Sequence, residues 1–311
     1  MGPICTQITR KFHDNIMTGM LKSIAWNGIR LSIPSTWEIG RIETRHLFFD
    51  SPAGPAMEIK WGPVKGRFSH RSHLNKLIAQ QKNRPGKNLE EWQLPPTWEK
   101  ALSSFIAKGF SWQLNTENGR GAILFCPSCK TAIMIQFFNV KDANTDIAIL
   151  NMLKSLKDHR NDNQTEWAVF NIQALLPGTF KLNSYQFKPG NYQLAFSDKF
   201  QSLKLFRWAP ASAFLAQSDL SQFAANTLDL SQASLVTNLT LDHPTVEWQV
   251  NNTPGWHHWL FPFKRKPAFH WIRVWHIPDK NRILGMCLES RKPIDVGMTR
   301  DICRNYSVGT T

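Results

Sequence analysis

A chain of 311 residues is long for one domain and comfortable for two, and its 42% hydrophobic and 12% aromatic content excludes a disordered polymer. Lys and Arg outnumber Asp and Glu by 37 to 23, a formal charge of +14, which favours a polyanionic partner such as nucleic acid, an anionic membrane face or an acidic protein. Five cysteines without framework spacing, no apolar leader after Met1 and no run of about 20 apolar residues lead us to expect reduced thiols, a cytoplasmic protein and no transmembrane segment.

Residues 1–22 read as an N-terminal extension and 23–158 as a first α/β repeat. Its opening strand, 29–33, alternates apolar and polar residues as a half-buried strand does, and Pro34 ends it. Strands follow near 45–50 and 56–61, with Pro52, Gly54 and Pro55 marking the turn between them. The spacing of Leu74, Leu77 and Ile78 predicts a helix over 70–83, stopped by Pro85-Gly86. Lys60, Lys65, Arg67, Arg71 and Lys76 bracket the start of that helix, where phosphates are favoured, although these charges belong to different elements. Strands near 104–113, 121–126 and 131–139 lead to a closing helix over 145–158. Its stripe is Ile149, Met152, Leu153 and Leu156, and Asp146 suits its N-terminal end. Polar residues 159–166 read as a linker.

Residues 167–311 repeat the plan. Ile33-Pro34 aligns with Leu176-Pro177, Leu47-Phe48-Phe49 with Leu194-Ala195-Phe196, Trp61 with Trp208, and Cys126-Pro127 with Ile277-Pro278. The offset grows in order from 143 to 147 to 151, as small loop insertions make it. Connections between neighbouring strands are too short for parallel crossovers. The expected fold is therefore α+β: two tandem diverged repeats, each a mainly antiparallel sheet packed against helices. The strand ending in Ile33-Pro34 with Trp37 behind it, the mid-chain helix and the closing helix give each half a layout that resembles the PsbP-like fold of photosystem oxygen-evolving subunits and a Ran-binding import factor. That resemblance implies a fold and no particular activity.

The sharpest local motif is Cys126-Pro127-Ser128-Cys129, half of a zinc knuckle if it sits on a hairpin turn. His70 and His73, three apart on one helical face, are the partners the sequence offers, and zinc is the cofactor such a set would hold. The plain alternative is two reduced thiols at a strand turn. A redox role lacks the strand-then-helix context of a thioredoxin-like motif. The segment 256–276 interleaves Trp256, Trp259 and further aromatics with His residues around Lys264, Arg265 and Lys266. Rings and cations together suit single-stranded nucleic acid, a membrane surface or a protein partner. The repeat, however, lays this segment over 105–125, a strand pair, which makes its rings core and Lys264–Lys266 a hairpin tip. No dinucleotide, P-loop, nucleophile-elbow or zinc-protease motif is present. The functional expectation is a non-catalytic binding or scaffold module with an anionic or protein partner. Two alternatives stay open: a nucleic-acid binder acting through the basic-aromatic segment, and an enzyme with a site in a cleft between repeats.

Overall fold

The computed structural model describes residues 20–80, 88–140, 146–228, 230, 234–236, 243–251 and 269–309. The chain divides into two compact units whose boundary falls between Asn161 and Asp162.

The first unit opens with a hairpin, β1 (Leu21–Trp26) and β2 (Ile29–Pro34). Its two-residue turn, Asn27-Gly28, has positive φ at both positions (45° and 95°), the geometry that matches strand twist. Then come β3 (Glu38–Glu43), β4 (His46–Ser51), β5 (Gly54–Pro63), α1 (His70–Gln80), β6 (Asn88–Trp92), α2 (Pro96–Ala101), β7 (Ile106–Leu114), β8 (Glu117–Phe125), β9 (Thr131–Phe138) and α3 (Ile147–Ser155). Seven strands form one antiparallel sheet in the order β3-β4-β5-β9-β8-β7-β6. One face carries Met57, Ile59 and Trp61 opposite Phe137, Ile135 and Ile133, all buried. Trp98 of α2 is fully buried and meets Phe137 edge-on at 5.7 Å. The other face lies under α1, where Leu74 and Leu77 pack on Phe110, Trp112 and Ile123. Asp146 caps α3 by accepting a hydrogen bond from Ile149 N at 3.1 Å.

The second unit contains β10 (Gln164–Val169), β11 (Ile172–Pro177), β12 (Lys181–Lys188), β13 (Asn191–Ser197), β14 (Gln201–Trp208), α4 (Ala211–Phe214), α5 (Leu220–Leu228), β15 (Ser234–Val236), β16 (Thr245–Asn251), β17 (Phe269–Ile277), β18 (Arg282–Ser290), α6 (Val296–Arg304) and β19 (Tyr306–Val308). Its sheet runs β12-β13-β14-β18-β17-β16-β15, the same order of equivalent strands. Even the irregularities correspond: a bulge interrupts β3–β4 between Ile39 and Arg41, and β12–β13 between Leu182 and Ser184. Asp295 caps α6 as Asp146 caps α3.

The fold is thus rich in antiparallel sheet with short helices laid on it, more strand-dominated than the α+β expectation. β1 begins at Leu21, inside the expected extension, and β10 begins at Gln164, inside the expected linker. β3, β6 and α2 were not among the expected elements. Of the segment 256–276, the described part is β17, which starts at Phe269 and pairs with β16 and β18; 252–268 lie outside the described residues. No helix among the described residues is long and apolar enough to cross a membrane.

Strand pairing also corrects the alignment of β5 with β14. Trp61 lies opposite Ile133, whereas Leu284, the equivalent of Ile133 at the offset of 151, lies opposite Arg207. On the other flank Leu47 faces Ile59 and Leu194 faces Leu205, which gives the same answer. Arg207 therefore holds the position of Trp61, and Phe206 and Trp208 hold those of Lys60 and Gly62. A slip of one residue along a strand exchanges its faces, so Trp61 and Trp208 point to opposite sides of their sheets.

Candidate functional site

That exchange opens a cleft. In the second unit Phe206 and Trp208 stack at 5.1 Å with planes 5° apart, Trp208 meets Phe223 of α5 edge-on at 5.3 Å, and the space between helix and sheet is filled. The indole lies so close to β18 that a Cβ on Gly285 would sit 2.6 Å from it, which explains the glycine. At the equivalent positions of the first unit, Lys60 extends outward and Gly62 adds no side chain. A Cβ built on Gly62 meets nothing within 4 Å. The result is a cleft of about 480 Å³ between α1 and strands β5, β8 and β9.

Four basic side chains line it: Lys60 from β5, Lys65 and Arg67 from the connection to α1, and Lys76 from α1. Ser69, Ser72, His73 and Lys76 come at the spacing of one helical face, which is why they share the cleft and Arg71 is not among its lining residues. Among the described residues no acidic side chain lines it. Glu58 lies on the same sheet face as Lys60, where Lys60 Nζ and His46 Nε2 each sit 2.8 Å from its Oε1 and Gln136 donates to its Oε2. Gln136 in turn accepts from Trp112 Nε1 at 2.9 Å. Burial pushes the Glu58 carboxyl up, but the hydrogen bond and charge of Lys60, the Gln136 amide and His46 together hold it below its usual range. Lys60 is thus committed to Glu58, while Lys65, Arg67 and Lys76 make no ion pair among the described residues. A wider cleft of about 750 Å³ at the β6–β7–β8 edge is lined by Glu90, Trp92, Trp112 and Arg120 and by several neutral polar residues, with one charge of each sign. It offers no comparable attraction for an anion.

The residues expected to bind metal separate. Cys126 and Cys129 come together with Asp158 and His159, the ligand atoms of all four lying within 4.8 Å of one another. His70 and His73 belong elsewhere. His70 Nε2 is 3.1 Å from the Ile106 carbonyl, His73 Nδ1 is 2.9 Å from the Ser69 carbonyl, and both rings rest on Phe68. Burial holds the His70 imidazole below its ordinary value, with Lys108 and His73 adding to that. Asp158 and His159 escaped the sequence analysis because the polar run around them reads as a linker. The signal available was two metal-ligand types adjacent in sequence just after the closing helix. Trp256, Trp259, Lys264, Arg265 and Lys266 lie outside the described residues.

The chain matches no protein-family model and no curated protein. Among solved structures it is similar to a protein of Bacteroides thetaiotaomicron VPI-5482, at 10% identity and a TM-score of 0.29 over 51% of this chain, and it spans only 53% of that protein's length. It is also similar to the T6SS immunity protein TplEi of Pseudomonas aeruginosa, solved in complex with "L" peptide, at 8% identity and a TM-score of 0.30 over 95% of this chain and 100% of that one. At these scores neither likeness carries an argument about fold, ligand or partner, and the PsbP-like resemblance rests on the order of elements alone.

Proposed function

We propose that the chain is a tandem pair of diverged copies of one sheet-and-helix unit, serving as a non-catalytic binding module whose first unit takes a polyanionic partner in the cleft beside α1. The observation that carries the reading is the convergence of Lys60, Lys65, Arg67 and Lys76 on one cleft with no lining carboxylate among the described residues. Matching strand order, matching bulges and matching caps support the common origin. Divergence then explains why only the first copy binds: aromatic residues fill the second copy's equivalent space.

The attraction is electrostatic, from cations that stay exposed to solvent and are therefore screened by salt. Lys65, Arg67 and Lys76, which make no ion pair among the described residues, stand beside apolar walls from Leu77, Ile123 and Met134 and raise the local positive potential. Fluorescence anisotropy of a labelled single-stranded oligonucleotide and of a labelled acidic peptide, each over a range of salt, tests the proposal. We expect binding that weakens with salt, with a log–log slope on the order of 2 to 3 for about three neutralised charges. Lys65→Glu with Arg67→Glu should weaken it at least ~10-fold. Binding that survives this pair but is lost with Lys264→Glu and Lys266→Glu would transfer the function to the basic-aromatic segment. Binding indifferent to salt would end the proposal.

A further inference from the structure

We infer that Cys126, Cys129, Asp158 and His159 bind one Zn²⁺ ion, which staples the β8–β9 turn to the segment leaving α3. The four groups arrive from two places about 30 residues apart, each held by its own backbone contacts. Cys126 directly follows β8; its N–H donates to the Thr131 carbonyl at 2.9 Å, and its carbonyl accepts from Lys130 N at 3.0 Å. Lys130 takes a left-handed φ of 58°, curling the turn so that both sulfurs lie on one side. Asp158 and His159 follow Lys157, which is paired with Arg30 of β2 by two hydrogen bonds of 2.8 Å.

The geometry suits a common central ion. Cys129 Sγ lies 2.8 Å from Asp158 Oδ2, Asp158 Oδ1 lies 2.9 Å from His159 Nδ1, and Cys126 Sγ lies 3.8 Å from that same nitrogen. Bond lengths of about 2.0–2.3 Å from a tetrahedral zinc imply ligand–ligand edges of roughly 3.3–3.8 Å, so small movements seat the ion. A catalytic thiol–imidazole–carboxylate relay needs the sulfur and the carboxylate on different ring nitrogens. Here both approach Nδ1, which is the arrangement of ligands around a point. The Asp158 side chain is 4% exposed and Cys126 is 2% exposed, so a carboxylate and a thiol are kept from water at a turn. Two soft sulfurs with one nitrogen and one oxygen select zinc over the hard divalent ions.

The second unit shows what the staple replaces. At the equivalent turn it has Ile277, Pro278, Asp279 and Lys280, with Asn281 in the left-handed conformation of Lys130. After α6 it has a strand, and among the described residues no ligand cluster: β19 pairs with β11 through Ile172–Val308, Gln173–Ser307 and Ala174–Tyr306. The buried Tyr306 hydroxyl then donates to the Phe206 carbonyl at 2.6 Å. The first unit has a single bridge there, Arg30–Lys157, and the four ligands beside it.

Binding releases one proton from each thiol, and the His159 imidazole carries its remaining proton on Nε2, leaving Nδ1 to the ion. The test is metal analysis of the full chain purified without added zinc or chelator, followed by cobalt titration of chelated protein. We expect close to one zinc per chain, and thiolate-to-cobalt charge transfer with the strong visible bands of a tetrahedral site. His159 is exposed, so His159→Ala should fold while weakening zinc at least ~10-fold. Cys126→Ser should abolish the charge-transfer signature or halve it. Less than a tenth of an equivalent of zinc with no cobalt charge transfer, or a Cys126–Cys129 disulfide in the purified protein, would overturn the assignment. All of these readouts are independent of any ligand in the basic cleft.

Discussion

The two sheets share strand order, register and bulges, yet they put their polar groups on opposite faces. In the first unit the face under α1 carries Glu58, Lys60 and Gln136, while the far face is lined by Met57, Ile59, Trp61 and their apolar neighbours. In the second, the face under α5 is aromatic, with Phe206, Trp208 and Trp248. The far face holds Arg207, stacked 4.1 Å from the Tyr192 ring centroid, and the buried pair Arg273–Glu247 at 2.7 Å. Glu247 also accepts from Trp271 Nε1 and Gln249 Nε2, so that carboxylate is well satisfied. Backbone pairing fixes the scaffold, and the residues at a few alternating positions decide which side seals and which side opens.

The comparison breaks most visibly where the second unit is sealed. Trp208→Ala should destabilise that unit by about 3–5 kcal/mol, because the indole fills the helix–sheet space and cannot be replaced by local collapse. Chemical denaturation followed by tryptophan fluorescence measures it, and polyanion binding should persist. A loss below about 1 kcal/mol would mean the stacked pair is not the seal.

The converse exchange sharpens the same point. Lys60→Phe with Gly62→Trp transfers the second unit's pair into the first. It should fill the cleft and weaken anion binding at least ~10-fold, since the space and one cation are both removed. Retained binding in a folded double variant would place the anion elsewhere.

How far all this was legible differs by element. The alternation at 29–33 and the α3 stripe with its Asp146 cap are local patterns that packing preserves. The register of β5 against β14 was not legible, because tryptophans one place apart align better by eye than a tryptophan with Arg207. The neighbouring strands resolve it, through Ile133 and Leu284 on one flank and Leu47 and Leu194 on the other. The five basic residues around α1 are visible in the sequence, but the convergence of four of them, without Arg71, depends on Gly62 being open, which is a tertiary fact. The thiols were found and their partners were not: helical spacing favoured His70 and His73, whereas chain return after α3 delivered Asp158 and His159.

Acid should separate the units next. The Glu58 carboxyl is held below its usual value in the folded chain, so its ionised form favours folding above about pH 4.5. That contribution is lost as pH falls through the lowered folded value. Glu58→Gln should therefore flatten the acid dependence of the first unit's stability and leave that of the second unchanged, as read by urea midpoints below pH 5. An unchanged acid limb would remove Glu58 from the account.

The smallest effect concerns reactivity. Burial holds the Cys287 and Cys303 thiols up, each to about 12, so neither offers appreciable thiolate at neutral pH. Iodoacetamide at pH 7 should label both only after denaturation. Rapid labelling of the folded protein would show that the second unit's interior is more open than its packing implies.

The most direct test follows backbone amide shifts of the whole chain during titration with inorganic polyphosphate at low salt. The account predicts saturable shifts at residues 60–77 and 132–134, with residues 204–228 and 283–287 unmoved. Shifts centred on the second unit's helix–sheet face, or none at residues 60–77, would contradict it.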